Sequence, residues 1–80
     1  ISNHYGGLCM FALRYKKLGG KIAYYRKLKN LTQVELATLV GISTSYLGEI
    51  ERGTKQGAPI SIYWKIAAAL DVKFEELDEE

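Results

Sequence analysis

Apolar residues recur three and four positions apart through most of this chain, and no segment alternates convincingly one by one. That spacing gathers them on one side of a 3.6-residue helix, so the chain is expected to be all-α. The first helix should run from about Leu18 to Lys29, with Leu18, Ile22 and Tyr25 on one face and Gly19 and Gly20 weakening its first turn. Asn30 and Leu31 close it. Thr32 and Glu35 form a T-x-x-E capping box for a second helix that continues to about Val40. Gly41 follows where the chain must reverse, because glycine enters the left-handed region at little cost. Ser43 is a good N-cap for a third helix from about Thr44 to Arg52, stopped by Gly53. GTKQGA (residues 53–58) reads as a loop. Pro59 suits the first turn of a fourth helix, in which Ile60, Tyr63, Ala67 and Leu70 should face the core. Val72, Phe74 and Leu77 fall in a short fifth helix or an irregular tail.

The segment from Gln33 to Arg52 carries most of the information. Leu36, Val40, Ile42, Leu47 and Ile50 are spaced to face one core from two short helices. Ala37 is small where the second of these must cross closely. Small residue, turn glycine and apolar pairs at these spacings point to a helix-turn-helix rather than an ordinary αα-hairpin.

At 80 residues the chain allows one small domain with a thin core. No apolar run approaches the ~20 residues of a membrane span, and Leu8 to Ala12 is too short for a secretory signal. Cys9 is the only cysteine, which excludes an internal disulfide and suits a cytoplasmic, reducing location, and with His4 the only histidine a zinc site has almost no support. No glycine-rich phosphate loop follows a strand, and no nucleophile or acid–base pair suggests enzyme chemistry. No cofactor is expected. Met10 is the only methionine, and residues 1–13 are expected to be an N-terminal extension, native or left over from cloning, with residues 14–80 as the folded domain.

The net charge of +2 hides a segregation. Residues 1–70 hold ten Lys or Arg against three acids, whereas residues 71–80 hold one lysine against six acids. Arg14 to Lys29 alone has seven basic residues and no acid. On charge alone this is either a polyanion-binding face beside an acidic tail or two stretches of solvated surface. The helix-turn-helix favours the first.

Four motifs then carry a resemblance: R-x-x-x-x-L-T-Q-x-E-L-A (Arg26 to Ala37), G-I-S (Gly41 to Ser43), Y-L-G-E-I-E-R-G (Tyr46 to Gly53) and K-I-A-A-A-L-D-V (Lys65 to Val72). From about Leu18 to Leu77 the chain resembles the Cro/phage-repressor-type (XRE family) helix-turn-helix domain. The resemblance implies a compact five-helix, lambda-repressor-like fold. It also implies a sequence-specific transcriptional regulator, a repressor acting as a homodimer on a pseudo-palindromic site in double-stranded DNA. The alternative is a protein-interaction module, such as an antitoxin with secondary DNA binding, for which the acidic tail and exposed aromatics such as Tyr24 and Trp64 would serve an unknown protein partner.

Residue by residue, Gln33 matches the family's glutamine that touches the DNA backbone and braces the recognition helix. Thr44 and Ser45 match the positions that lead that helix into the major groove, with Ser43 and Tyr46 flanking them and Glu49 one turn beyond. Short hydroxyls discriminate bases weakly, where many relatives place glutamine, asparagine or arginine. Glu49 either accepts from a cytosine amino group or stays solvated or salt-bridged within its helix. Tyr46 either packs on a sugar or thymine methyl or belongs partly to the core. Arg52, Lys55 and Gln56 follow where the chain should pass the phosphates, or form a solvated loop. Arg26 and Glu51 match a partly buried structural ion pair between the first and third helices, the alternative for Arg26 being direct contact with DNA.

Overall fold

The computed structural model describes residues 2–55 and 57–78, with side chains from residue 12 onward, so His4, Cys9 and Met10 as side chains, and Gln56, Glu79 and Glu80 altogether, lie outside it. Five helices follow one another: α1 (Ser2–Leu28), α2 (Gln33–Val40), α3 (Thr44–Arg52), α4 (Ile60–Leu70) and α5 (Phe74–Leu77). No strand occurs among the described residues.

The ends of these helices are set by local chemistry. Asn30 takes a left-handed backbone (φ 59°) after α1, and the Leu31 N–H returns to the Arg26 carbonyl at 3.1 Å. Thr32 then starts α2 with both halves of the capping box: its hydroxyl accepts from the Glu35 N–H at 3.1 Å, and the Glu35 carboxylate accepts from the Thr32 N–H at 2.8 Å. Gly41 (φ 86°) closes α2 by donating to the Ala37 carbonyl at 2.8 Å.

Two expectations need correcting. The first helix begins at Ser2, not near Leu18. No proline interrupts residues 2–28, and Gly19, expected to weaken a first turn, lies inside the helix for a packing reason. A Cβ there would collide with the Ile50 carbonyl oxygen and come within 2.6 Å of that of Glu51. Bare glycine backbone is what lets α1 lie directly on α3. Leu18 is the first described side chain of α1 to reach the core.

The second correction concerns α4. Pro59 is its N-cap rather than part of its first turn, and Ile60 is 49% exposed. Ile60 sits at the helix start, past the edge of the core, while Ile66 is completely buried beside Tyr63, Ala67 and Leu70. Leu18 and Ile22 from α1, Leu36 from α2, Leu47 and Ile50 from α3 and Leu77 from α5 complete one continuous core. Phe74, Glu75, Glu76 and Leu77 do form a helix, and it is anchored by the buried Leu77.

Candidate nucleic-acid interface

The α2–α3 corner presents one short helix at a fixed angle. After Gly41, the Ser43 hydroxyl accepts from the Tyr46 N–H at 3.0 Å, which starts α3. Leu47 and Ile50 then face inward, which leaves Ser43, Thr44, Ser45 and Arg52 exposed and Tyr46 and Glu49 half-buried beside them. These side chains share the outward side of a helix nine residues long. At its far end Gly53 (φ 78°) closes α3, and a Cβ on it would come within 2.6 Å of Lys16 Cα, so the cap rests directly on α1.

A polar node holds that helix from behind. Arg26 grips Glu51 with two bonds, Nε to Oε2 at 2.7 Å and Nη2 to Oε1 at 3.1 Å, and gives Nη1 to the Leu31 carbonyl at 2.8 Å. Gln33 adds its Nε2 to Glu51 Oε1 at 2.9 Å. One carboxylate thus ties α1, the first residue of α2 and the last turn of α3 together. The Arg26 and Glu51 side chains are only 11% and 6% exposed. No buried side-chain polar atom among the described residues lacks a partner, so the node is fully satisfied and rigid.

The loop after α3 is anchored in a way sequence reasoning missed. Lys55 Nζ stands over the Tyr46 ring, 4.7 Å from its centroid, and the Thr54 N–H returns to the Glu49 carbonyl at 2.9 Å. Residues nine apart across a turn carry no spacing signal, so this cation–π contact was not legible beforehand. Burial pushes the Tyr63 phenol above its ordinary value, with Tyr15 and then Tyr46 adding to the effect.

Tyr24 and Trp64 are 58% and 57% exposed. No group of three or more potential metal ligands occurs among the described residues, and no helix is long and apolar enough to cross a membrane.

Comparison with known proteins gives one answer. The HTH_3 helix-turn-helix family model matches residues 22–77. SinR of Bacillus subtilis (strain 168), an HTH-type transcriptional regulator, is 38% identical over 63 residues, covering 79% of this chain and 57% of SinR. YazB of the same organism, also described as an HTH-type transcriptional regulator, is 42% identical over 59 residues, 74% of this chain and 84% of YazB. Among solved structures, the restriction-modification controller protein C.AhdI from Aeromonas hydrophila superposes with a TM-score of 0.74 at 36% identity, over 79% of this chain and 94% of its own. SinR, master regulator for biofilm formation, solved in complex with DNA, gives 0.72 at 37% identity, over 78% and 98%. The chain spans a little over half the full length of SinR.

Proposed function

This chain belongs to the HTH_3 (XRE-type) helix-turn-helix family, and from that premise we propose that it is a DNA-binding transcriptional regulator that reads operator DNA with α3. The observation that carries the proposal is the outward side of that helix. Thr44 and Ser45 lead it with short polar side chains, Glu49 and Arg52 follow, and the Arg26–Glu51–Gln33 node fixes its angle to the domain. A helix presented this way fits a major groove, where base edges are distinguishable. Ser43, Tyr46 and Lys55 flank it as backbone contacts, with Lys55 held near the phosphate path by the Tyr46 ring. Gln33, at the start of α2, offers the phosphates its helix N-terminus while bracing α3.

The regulator works as a repressor in the cytoplasm, and two copies dock on a pseudo-palindromic site with their α3 helices in successive major grooves about 34 Å apart. Residues 14–80 are the DNA-binding domain, and residues 1–13 are an extension that the binding site does not need.

Binding to random duplex DNA at low and high salt tests the class. Affinity should fall steeply with salt, and replacing Lys55 by glutamine should flatten the log–log slope by about one unit on every sequence. A chain that binds no duplex at low salt would instead be a protein-interaction module of the antitoxin kind. Selection from a randomised library should return two half-sites of inverted symmetry. One isolated half-site protected by a monomer would refute the dimer.

A further inference from the structure

We infer that Arg52 reads a base edge, that of a guanine, from the middle of the exposed side of α3, and that Gly48 is the residue that lets it do so. The inference rests on the DNA-binding role proposed above and changes the part expected of Arg52 from holding a phosphate to choosing a sequence.

Gly48 lies inside a nine-residue helix, where glycine costs roughly 1 kcal/mol against alanine. The three atoms that a Cβ at Gly48 would meet first across space all belong to the Arg52 head group: Nη1 at 3.2 Å, with Cζ and Nη2 both at 3.9 Å. The guanidinium therefore folds back by one turn and lies across bare helix backbone. Gly48 is buried although Thr44 and Arg52, one turn before and one turn after it on the same ridge, are exposed.

This posture moves the charge away from where a phosphate contact would put it. Ser45 and Arg52 are seven residues apart, so they point within about 20° of each other around the helix. Folding back carries the guanidinium from the C-terminal rim along the Thr44–Gly48–Arg52 ridge toward Thr44, the leading end of α3 that a groove would enclose. The rim itself keeps a cation, because Lys55 is held over Tyr46. A planar fork of donors in mid-groove matches the O6 and N7 acceptors of guanine, a match that the short hydroxyls of Thr44 and Ser45 cannot make.

The test uses the whole chain. Binding sites are first selected from a randomised duplex library, and affinities for the best site and its single-base variants are then measured by fluorescence anisotropy. The wild-type chain should prefer guanine at one position of each half-site by roughly 5- to 150-fold. R52K keeps the charge and loses the fork, so that single preference should vanish while the preferences at other positions stay. G48A should melt no lower than wild type, and its Cβ should push the guanidinium aside, cutting the same preference several-fold at an unchanged salt slope. Equal losses by R52A on selected and random DNA, with a slope lower by about one, would return Arg52 to the phosphates and overturn the inference. An unchanged guanine preference in G48A would overturn the role of Gly48. A wild-type chain that binds no DNA would sink the proposed function itself, a failure distinct from both.

Discussion

Two arginines on α1 each hold a carboxylate from far along the chain, and their surroundings could hardly differ more. Arg26 meets Glu51 behind α3, with side chains 11% and 6% exposed, and two further groups, the Leu31 carbonyl and the Gln33 amide, complete the node. Arg14 meets Asp78 beyond α5, through Nε to Oδ1 at 3.0 Å and Nη2 to Oδ2 at 2.6 Å, with side chains 52% and 17% exposed. The outer pair lines an open cavity of about 330 Å³ that also touches Tyr15, Ile60 and Phe74, so water screens it. Geometry alone would rank the two as equals. Burial decides otherwise: a screened pair contributes ~0–1 kcal/mol, whereas a desolvated pair is costly to break because the survivor is left charged and unpaired. The inner pair positions the helix proposed to read DNA, and the outer one closes the far end of the domain.

The largest break should therefore come at Glu51. Glu51→Ala strands the Arg26 guanidinium and frees Gln33, and should cost ~3–5 kcal/mol. For a domain this small that is most of the stability, and a circular dichroism melt should show the chain largely unfolded at 37 °C. Replacing both partners, as Arg26→Met with Glu51→Leu, should restore much of the loss, because no charge remains buried. A double variant as unstable as Glu51→Ala would mean that the Gln33 and Leu31 contacts matter more than the desolvated charge.

Gly19 sharpens the same contrast. It is what brings α1 close enough for the inner pair to form, so Gly19→Ala should force α1 and α3 apart and cost ~1–3 kcal/mol. Gly20 is the control: a Cβ there meets nothing within 4 Å, so Gly20→Ala should stabilise by up to ~1 kcal/mol through helix propensity alone. Equal melting temperatures for the two variants would refute the close-packing account. In a double-mutant cycle, Gly19→Ala should couple to Glu51→Ala and not to a change at Asp78.

These two features show what the sequence could and could not convey. The caps of α2 and α3 were legible because Thr32, Glu35, Gly41, Ser43 and Gly53 act within four residues of where they stand. The bounds of α3 were legible for the same reason. Gly19 was not, since the reason for that glycine is a backbone carbonyl of α3, some thirty residues away. The unbroken run of α1 back to Ser2 escapes sequence reasoning because a glycine pair looks like a weak start. Periodicity places Ile60 inward, but it says only which side of a helix a residue lies on and not where the core ends.

A third carboxylate, fully on the surface, tests whether exposure alone makes such contacts weak. Glu35 is held below its ordinary value of 4.5 first by the Thr32 N–H and then by the Thr32 hydroxyl. Its folded value lies below its unfolded one, so the stabilisation is complete above pH 4.5 and lost as pH falls through the folded value. Glu35→Gln keeps a hydrogen-bond acceptor without the titration and should melt with a flatter pH dependence below pH 4.5. Thr32→Ala, which removes the other half of the box, should cost ~1 kcal/mol at neutral pH. A Glu35→Gln chain that loses stability with acid as steeply as the wild type would assign that loss to other carboxylates.

The smallest effect should come from the outer pair. Asp78→Asn keeps the shape and a hydrogen-bond acceptor but removes the charge, so it should cost at most ~0.2–1 kcal/mol in dilute buffer. In a domain of this size that lowers the melting temperature by no more than about 8 °C. The difference from wild type should shrink as salt is raised to about 1 M, where screening acts within ~3 Å. Glu51→Ala should remain just as damaging there, because its partner is shielded by protein rather than by ions. Leu77 beside Asp78 is completely enclosed and packs α5 against the core without help from charge, so α5 should stay in place when the pair is lost. A salt-independent penalty at Asp78 comparable with that at Glu51 would show that α5 is held by its ion pair and not by Leu77. Leu77→Ala, expected to cost ~2–5 kcal/mol as a buried truncation, would then be nearly silent.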